Sequence, residues 1–162
     1  MQQPEIDNLI NSLKRLLLDT TLINIPDFNN KELIEAKSHS DFFYIDLNKQ
    51  GRRLKRYTLQ LRAKRKKELP LLRLDLVGPD HPNPPGNFPF AGEKIPCPHI
   101  HIAKEGYGDK IAYPLNSKTA GLYLTEEELE DFIQVTKKFL DKCNVVNLNT
   151  YSFNTQQEQF NI

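Results

Sequence analysis

The heptapeptide Cys-Pro-His-Ile-His-Ile-Ala, residues 97–103, predicts a short β-strand with two histidines two positions apart. Side chains alternate across a strand, so His99 and His101 share one face and the two isoleucines share the other. Three of the chain's four histidines lie between residues 81 and 101, which concentrates this residue type in one part of the sequence. The heptapeptide is therefore both a structural element and the centre of a candidate site.

Two segments upstream repeat the same alternation of polar and apolar residues. In the sequence LRLDL, Arg73 and Asp75 occupy one face and three leucines occupy the other. In RYTLQLR, Gln60 and Arg62 lie on the polar face, opposite a tyrosine and two leucines. If the three strands share a sheet, the apolar sides form a core and the polar sides collect arginine, aspartate, glutamine and histidine on one surface.

The patterning predicts an α+β fold, with an antiparallel sheet of about five strands and two amphipathic helices on one face. Short links between successive segments favour a meander of antiparallel neighbours. The helices are expected at residues 4–18 and 125–143, the second opened by a capping box at Thr125. Residues 19–30 are expected to form a loop. Strands are expected at residues 41–48, 54–63, 69–77, 97–103 and 110–115, with residues 31–38 as a further candidate.

Length and composition predict one domain, residues 1–162, with an irregular tail from about residue 144. The chain is 38% hydrophobic and 27% charged, which excludes general disorder. No apolar run is long enough to cross a bilayer and the N-terminal residues lack a signal-peptide pattern, so we expect a cytoplasmic protein without a membrane partner. The two cysteines fit a reducing compartment and form no Cys-x-x-Cys pair, which disfavours a zinc finger.

Charge is distributed unevenly along the chain, although the formal net charge is only +1. Residues 52–67 contain nine lysines or arginines and no acid, so the rest of the sequence sums to −8. A basic block of this density attracts a phosphate backbone, although charge runs are also common on solvated hairpins. The predicted nucleic-acid-binding residues are Arg52, Arg53, Lys55, Arg56, Lys64, Arg65, Lys66 and Lys67.

Residues 78–98 separate the arginine–aspartate strand from the histidine strand and follow no regular period. Within residues 78–87, four prolines restrict the backbone and exclude a helix or a central strand. Phe88 and Phe90 are expected to anchor this loop on the body of the protein. The loop carries His81, so a third histidine lies between the two strands that already supply polar side chains.

Metal-independent RNA cleavage is the chemistry that these residue types fit best. The reaction needs a base for the ribose 2′-hydroxyl proton, an acid for the leaving 5′-oxygen, and cations for the charge that develops on the phosphoryl oxygens. Histidine suits both proton transfers because its ordinary pKa lies near neutrality, and arginine supplies a permanent charge. No cofactor is expected. The predicted catalytic residues are His81, His99, His101, Arg73, Asp75, Gln60 and Arg62.

Two other interpretations of the histidine pair stay open. His-x-His followed by Glu105 resembles part of a cupin metal motif and would chelate a divalent ion. Against this, the preceding glycine is displaced by one residue, no second motif follows, and the predicted strands are too few for a jelly roll. In the other interpretation, His99 and His101 are ordinary polar residues on a solvent-exposed face of the sheet.

The order of motifs resembles that of the TumE-type RNase toxins, small bacterial proteins of toxin–antitoxin loci. The similar elements are Tyr57-x-x-Gln60-x-Arg62, the LRLD run, a histidine–proline pair in a proline-rich loop, and Pro98-His99-x-His101. Residues 43–115 also resemble an uncharacterised family found in Gram-positive bacteria and their phages. The sequence departs from the toxins in its longer loop, which has one histidine where the toxins tend to have two.

The toxin resemblance implies ribosome-independent cleavage of messenger RNA, balanced by an antitoxin encoded nearby. By motif position it assigns the site to Arg73, Asp75, His81, His99 and His101. We therefore expect a toxin-like ribonuclease whose partners are RNA or another nucleic acid and an antitoxin or host defence protein. The alternative is a non-catalytic phage or prophage protein that binds nucleic acid or inhibits host defence, because such a protein shares the basic surface without the proton-transfer geometry.

Overall fold

The fold consists mainly of short strands, with one helix near the N-terminus and two helices after the main sheet. The computed structural model describes residues 1–155. Within that range the helices are α1 (Gln3–Asn11), α2 (Glu126–Leu129) and α3 (Phe132–Lys142). The strands are β1 (Arg15–Leu16), β2 (Leu22–Ile25), β3 (Lys31–Lys37), β4 (Phe42–Asn48), β5 (Thr58–Ala63), β6 (Pro70–Asp75), β7 (His81–Pro82), β8 (Lys94–Ile95), β9 (His99–Ile102), β10 (Ala112–Pro114) and β11 (Ser152–Thr155).

The main sheet is antiparallel throughout. Within residues 1–155 it has seven strands, in the order β1-β3-β4-β5-β6-β9-β10. A meander joins β3 to β6, and β9 then pairs with β6 beyond the loop that contains β7 and β8. The predicted α+β class and antiparallel sheet are confirmed. The estimate of about five strands was too low because β3 and the two-residue strand β1 extend the edge beside β4.

The predicted alternation of faces holds in the three strands that suggested it. Leu61, Leu74 and Ile100 are completely buried in the core. The polar positions between them point to the opposite face, which we call the outer face of the sheet. The two faces therefore separate the apolar core from the polar residues on which the candidate site depends.

Helices α1 and α3 supply the other side of the core. Ile6 and Leu9 of α1 and Val135 and Phe139 of α3 belong to the same buried cluster as the sheet leucines. Complete burial of a side chain such as Phe139 stabilises the fold by roughly 1.5–3 kcal/mol. No helix within residues 1–155 has both the length and the apolar character needed to span a bilayer.

The first helix is shorter than the predicted range 4–18. It ends at Asn11, and Leu13 and Leu17 are 67% and 41% exposed, so they do not extend the apolar stripe. The chain leaves the helical path at Lys14, which is completely buried although it is a charged residue. Its ammonium group donates to three backbone carbonyls, those of Ile10, Ser12 and Cys143. These bonds turn the chain out of the helix and into β1.

The second predicted helix is divided into α2 and α3. The capping box at Thr125 forms as predicted, with the Thr125 and Glu128 side chains each bonding the other residue's backbone N–H. Asp131 then begins a new helix, because its Oδ1 accepts from the backbone N–H groups of Ile133 and Gln134. A second N-cap within the predicted range therefore produces the break.

Three segments predicted to be irregular contain strands, and one of them is the loop of residues 78–98, where β7 pairs with β8. Strand β11 pairs in parallel with β2, so residues 22–25 and 152–155 are not loop and tail. Ile23 and Ile25 are buried and attach this pair to the core. The predicted tail also includes residues 156–162, which lie outside the described part of the chain.

Candidate active site

Polar side chains on the outer face of the sheet form two cross-strand rows. In one row, Thr58 lies opposite Asp75, and Asp75 lies opposite His99. In the other, Arg73 lies opposite His101. Side chains directly opposite one another in an antiparallel pair are about 5 Å apart. Strands β6 and β9 therefore bring together residues that are 24 positions apart in sequence, as Asp75 and His99 are.

The proline-rich loop covers these rows. Asn83 fastens the loop to β10, since its Nδ2 donates to the Ala112 carbonyl and its Oδ1 accepts from the Ala112 N–H, both at 2.8 Å. Phe88 packs edge-to-face against Tyr107, with ring centroids 5.1 Å apart. The predicted anchoring of the loop is confirmed at this residue. As a result, the two histidines of β9 are each only 2% exposed, although they lie on the outer face.

Three imidazoles converge beneath the loop. The ring centroids of His81 and His101 are 4.6 Å apart, those of His99 and His101 are 5.0 Å apart, and those of His81 and His99 are 6.2 Å apart. They line a cleft of about 370 Å³. The cleft is also lined by Arg56, Thr58, Arg73, Asp75, Asp80 and Cys97. This volume lies within the range of small-molecule binding sites.

His99 is held in its protonated form. Its Nδ1 lies 3.0 Å from the Ile95 carbonyl, to which it donates, and its Nε2 lies 3.3 Å from Asp75 Oδ2. Burial opposes the charge, but the hydrogen bonds with Asp75 and with the Cys97 thiol outweigh it and raise the pKa of His99 to about 10. The imidazole therefore carries both protons at neutral pH and can act as an acid.

Asp75 remains a carboxylate at the centre of the cluster. Thr58 donates to its Oδ1 at 3.1 Å, and Arg73 donates to its Oδ2 at 3.3 Å. Burial by itself would raise the pKa of Asp75, but contacts with His101 and His99 and the charge of Arg73 hold this pKa well below its usual range. Its negative charge offsets part of the positive charge of Arg73 and His99.

Arg73 and His101 form a fixed pair beside this carboxylate. His101 donates from Nδ1 to the Asp109 carbonyl at 2.8 Å, and Arg73 donates from Nη2 to His101 Nε2 at 3.0 Å. Arg73 also donates to the Asp75 and Asp109 carboxylates at 3.3 Å. Among residues 1–155, these contacts use three of its five N–H groups.

His81 has the opposite protonation from His99. Its Nε2 lies 2.7 Å from the Lys110 carbonyl and donates to it, which leaves the lone pair on Nδ1. Burial lowers the pKa of His81, and the nearby His101, His99 and Arg73 lower it further, while the bond to Lys110 opposes them in part. The cleft therefore contains a neutral histidine that can accept a proton and a charged one that can donate it.

Gln60 and Arg62, also predicted as catalytic, lie outside the cleft. Arg62 donates from Nε and Nη2 to the two carboxylate oxygens of Asp46, at 2.7 and 3.0 Å. Gln60 donates to the same carboxylate at 3.0 Å. Both side chains belong to a separate cluster on β4 and β5, one strand away from Arg73.

Strand β5 divides the predicted phosphate-binding block into residues 52–56 and 64–67. The two parts lie at opposite ends of a six-residue strand, about 20 Å apart. Arg56 lines the cleft. Three other basic residues of the block form ion pairs. Lys55 pairs with Glu130, Lys64 pairs with Glu35, and Arg65 pairs with Glu5 and Asp41. Among the described residues, Arg52, Arg53, Lys66 and Lys67 have no ion-pair partner.

The arrangement of donors favours proton transfer over metal binding. The ligand atoms of Asp75, His99 and His101 lie within 4.8 Å of one another, close enough to surround a divalent ion. A cation would, however, have to displace the Arg73 guanidinium from His101 and the proton from His99. Glu105, the third member of the cupin-like motif, lies elsewhere and bonds the start of α1.

Several residues of the site were not predicted from the sequence. Thr58 and Cys97 belong to the alternating segments, so their positions on the polar face were readable from the period of two. The backbone carbonyls of Ile95, Asp109 and Lys110 orient the three histidines, and the Asp109 carboxylate also accepts from Arg73. A backbone carbonyl is present in every residue, so sequence carries no signal for this role.

The fold and the cleft together define an α+β protein with a histidine–aspartate–arginine centre on a covered antiparallel sheet. The chain belongs to DUF6978, a family of unknown function whose model matches residues 1–145. The matched range includes the whole main sheet and every residue that lines the cleft. No curated protein and no solved structure matches the chain. The family carries no assigned activity, and the resemblance to TumE-type toxins stays a prediction.

Proposed function

We propose that the protein is a metal-independent endoribonuclease, with His81 as general base and His99 as general acid. The observation that carries this proposal is the pair of imidazoles of His81 and His99 on one cleft, with ring centroids 6.2 Å apart; the pKa of His81 is lowered and that of His99 is raised. General acid–base catalysis requires this pairing, because one group must accept a proton while another donates one. The resemblance to RNase toxins supports the same substrate class.

The base step uses the free lone pair of His81. Its Nε2–H is engaged with the Lys110 carbonyl, so Nδ1 accepts the proton of the ribose 2′-hydroxyl. The 2′-oxygen then attacks the adjacent phosphorus, and a P–O2′ bond forms. This step depends on a 2′-hydroxyl, so the proposal commits to RNA and predicts that DNA is not cleaved.

The acid step uses the Nε2 proton of His99. As the P–O5′ bond breaks, His99 transfers this proton from its contact with Asp75 to the leaving 5′-oxygen, and the Nδ1–H bond to the Ile95 carbonyl keeps the ring in place. His81 gains one proton and His99 loses one, so the step leaves the total number of protons unchanged. The products are a 2′,3′-cyclic phosphate and a 5′-hydroxyl.

Arg73 supplies the fixed positive charge for the transition state. Its contacts with Asp75, Asp109 and His101 hold the guanidinium beside the imidazoles, and its remaining N–H groups can bond the phosphoryl oxygens. A donor already in position costs no reorganisation when charge develops on these oxygens. Lysine would not replace it, because an ammonium group cannot make the same planar set of bonds.

The test is an RNA-degradation assay with analysis of the product ends. We expect cleavage in the presence of EDTA, a 2′,3′-cyclic phosphate, and no activity in the double variant His99→Ala/His101→Ala. The pH–rate profile should be bell-shaped. Its rising limb lies below the ordinary histidine pKa, because His81 must be neutral, and its falling limb lies near pH 10, because His99 must be charged.

Two results would overturn the proposal. Products with a 3′-hydroxyl, or activity abolished by chelation and restored by a divalent ion, would assign the cluster to metal chemistry. Tight RNA binding without cleavage by the wild type would favour a non-catalytic binding protein. An antitoxin partner, implied by the toxin resemblance, would be sought only after cleavage is established.

A further inference from the structure

We propose that the outer face of β4 and β5 is a binding surface for single-stranded RNA, whose bases stack on Phe42 and Tyr44. We call this surface the aromatic platform and define it by those two rings with Lys37, Arg62 and Lys64. The inference rests on the proposed function, since it extends the path of the RNA away from the cleft. It concerns residues outside the acid–base machinery and can be tested by binding alone.

The first observation is the exposure of the rings. Phe42 is 53% exposed and Tyr44 is half-buried, although both lie within a strand in the interior of the sheet. They are two positions apart, so both rings point to the outer face. An exposed aromatic cluster on a regular, rigid strand is a typical platform for stacked bases.

The second observation is the positive charge around the rings. The Arg62 guanidinium carbon lies 5.0 Å from the Tyr44 centroid. Lys64 Nζ lies 5.5 Å from the Tyr44 centroid and 5.8 Å from that of Phe42, and Lys37 Nζ lies 6.0 Å from that of Phe42. Arg62 is paired with Asp46, and Lys64 Nζ lies 4.0 Å from Glu35. Lys37 can turn from its ring to a phosphate when a base arrives, and the exposed Lys64 can exchange Glu35 for a phosphate. An apolar protein partner would instead bury these charges, which is costly.

The third observation is the register between the platform and the cleft. Tyr44 lies opposite Arg62 on β5. On the same face, Gln60 of β5 lies opposite Arg73 of β6, which lines the cleft. Strands are about 4.8 Å apart, so β4 is only about 10 Å from β6. A strand of RNA that crosses β4, β5 and β6 therefore passes directly from the aromatic platform to the cleft.

The form of the nucleic acid follows from these contacts. Bases in an A-form duplex are stacked on one another and paired, so they cannot lie flat on a protein ring. Unpaired bases can, and stacking is tolerant of sequence because every base has a π-face. Lys66 and Lys67, at the end of β5 nearest the platform, have no ion-pair partner among the described residues and can bond the backbone phosphates.

The experiment compares Phe42→Ala/Tyr44→Ala with the matched control Leu33→Ala. Leu33 is 50% exposed on the outer face of the neighbouring strand β3, so its removal deletes apolar surface without a π-face. Binding is measured by fluorescence anisotropy with a labelled single-stranded RNA and with its duplex. We expect the double variant to bind the single strand at least tenfold more weakly, and the control to match the wild type.

Kinetics separate this inference from the proposed function. The double variant should raise KM for a long single strand and leave kcat unchanged, and it should cleave a dinucleotide as the wild type does. Equal binding by the double variant and the wild type would overturn the inference, as would equal binding of single strand and duplex by the wild type. If no RNA is cleaved but the double variant loses single-strand binding, the proposed function fails and the platform stands.

Discussion

Two arginine–aspartate pairs lie on the outer face of the main sheet in different environments. In the open half, on β4 and β5, Arg62 donates to both carboxylate oxygens of Asp46 at 2.7 and 3.0 Å. In the covered half, under the proline-rich loop, Arg73 donates to a single oxygen of Asp75 at 3.3 Å. Both pairs come from strands with the same alternation of polar and apolar residues.

The difference shows how a loop packed over a strand changes the chemistry of the polar side chains beneath it. In the open half, the pair satisfies its own hydrogen-bonding groups, because the Arg62 guanidinium bonds both carboxylate oxygens of Asp46. In the covered half, Asp75 is shared among Thr58, Arg73 and the two histidines of β9, and none of these contacts is short. Burial beneath the loop strengthens each interaction. It lowers the pKa of His81, whereas at His99 the hydrogen bonds with Asp75 and Cys97 outweigh burial and raise the pKa.

The largest expected difference between the two halves is in the rate of RNA cleavage. His99→Ala and His81→Ala should each lower kcat by about 10²–10⁴, the usual contribution of a positioned proton donor or acceptor. His39→Ala, the same substitution at an exposed residue before β4, should leave kcat unchanged. The measurement is kcat on a single-stranded RNA at neutral pH. Similar losses in all three variants would contradict the assignment of the cleft.

The second-largest difference between the two halves is expected in the pH dependence of stability. The folded-state pKa of His99 is raised to about 10, so its stabilisation is full below the unfolded value near 6.5 and disappears as pH rises towards 10. The loss should be on the order of 4 kcal/mol. Asp75 has a lowered pKa, so its stabilisation is present above about pH 4 and is lost in stronger acid.

Urea denaturation between pH 5 and 10 measures this dependence. His99→Gln should remove most of the alkaline loss of stability, while His39→Ala should follow the wild-type curve. Lys14, whose pKa burial lowers to about 8, gives both proteins the same opposing slope, so a difference between wild type and His99→Gln that stays constant from pH 6.5 to 10 would mean that His99 is neutral in the folded protein. The general acid would then have to be another residue.

The two aspartates themselves provide a matched comparison. Asp75→Asn leaves the buried charge of His99 and the charge of Arg73 without their carboxylate, and should lower the free energy of unfolding by about 3 kcal/mol. Asp46→Asn removes the carboxylate of a pair that includes no buried histidine charge and should cost about 1 kcal/mol. The measurement is urea denaturation at pH 6. Equal losses would show that the loop does not change the environment of Asp75.

The smallest expected effect concerns the loop itself. Asn83→Ala removes the bonds to the buried backbone of Ala112 and should lower the free energy of unfolding by roughly 1–3 kcal/mol. Asn87→Ala, at an exposed position of the same loop, should have little effect. Hydrogen exchange at β9 should increase in the first variant only. Unchanged protection of β9 in Asn83→Ala would mean that other contacts hold the cover in place.

Local patterns predicted the strands and their faces well, and the ends of the helices poorly. The period of two placed Leu61, Leu74 and Ile100 in the core because it depends only on neighbouring residues. Helix α1 was predicted too long because leucines after Asn11 continue the helical spacing. The buried Lys14, which ends it, acts partly through the carbonyl of Cys143, 129 residues away. Such a contact leaves no trace in a local pattern.

The candidate site divides in the same way. Sequence alone determined that His99 and His101 share a face with Arg73 and Asp75 within an α+β fold, because side-chain alternation is a property of the strand. Only the tertiary structure decided which histidine is charged. That choice depends on the loop that buries the cluster and on backbone carbonyls from other segments, such as that of Lys110 at His81. Protonation follows from desolvation and from nearby charges, and both are set by residues that are distant in sequence.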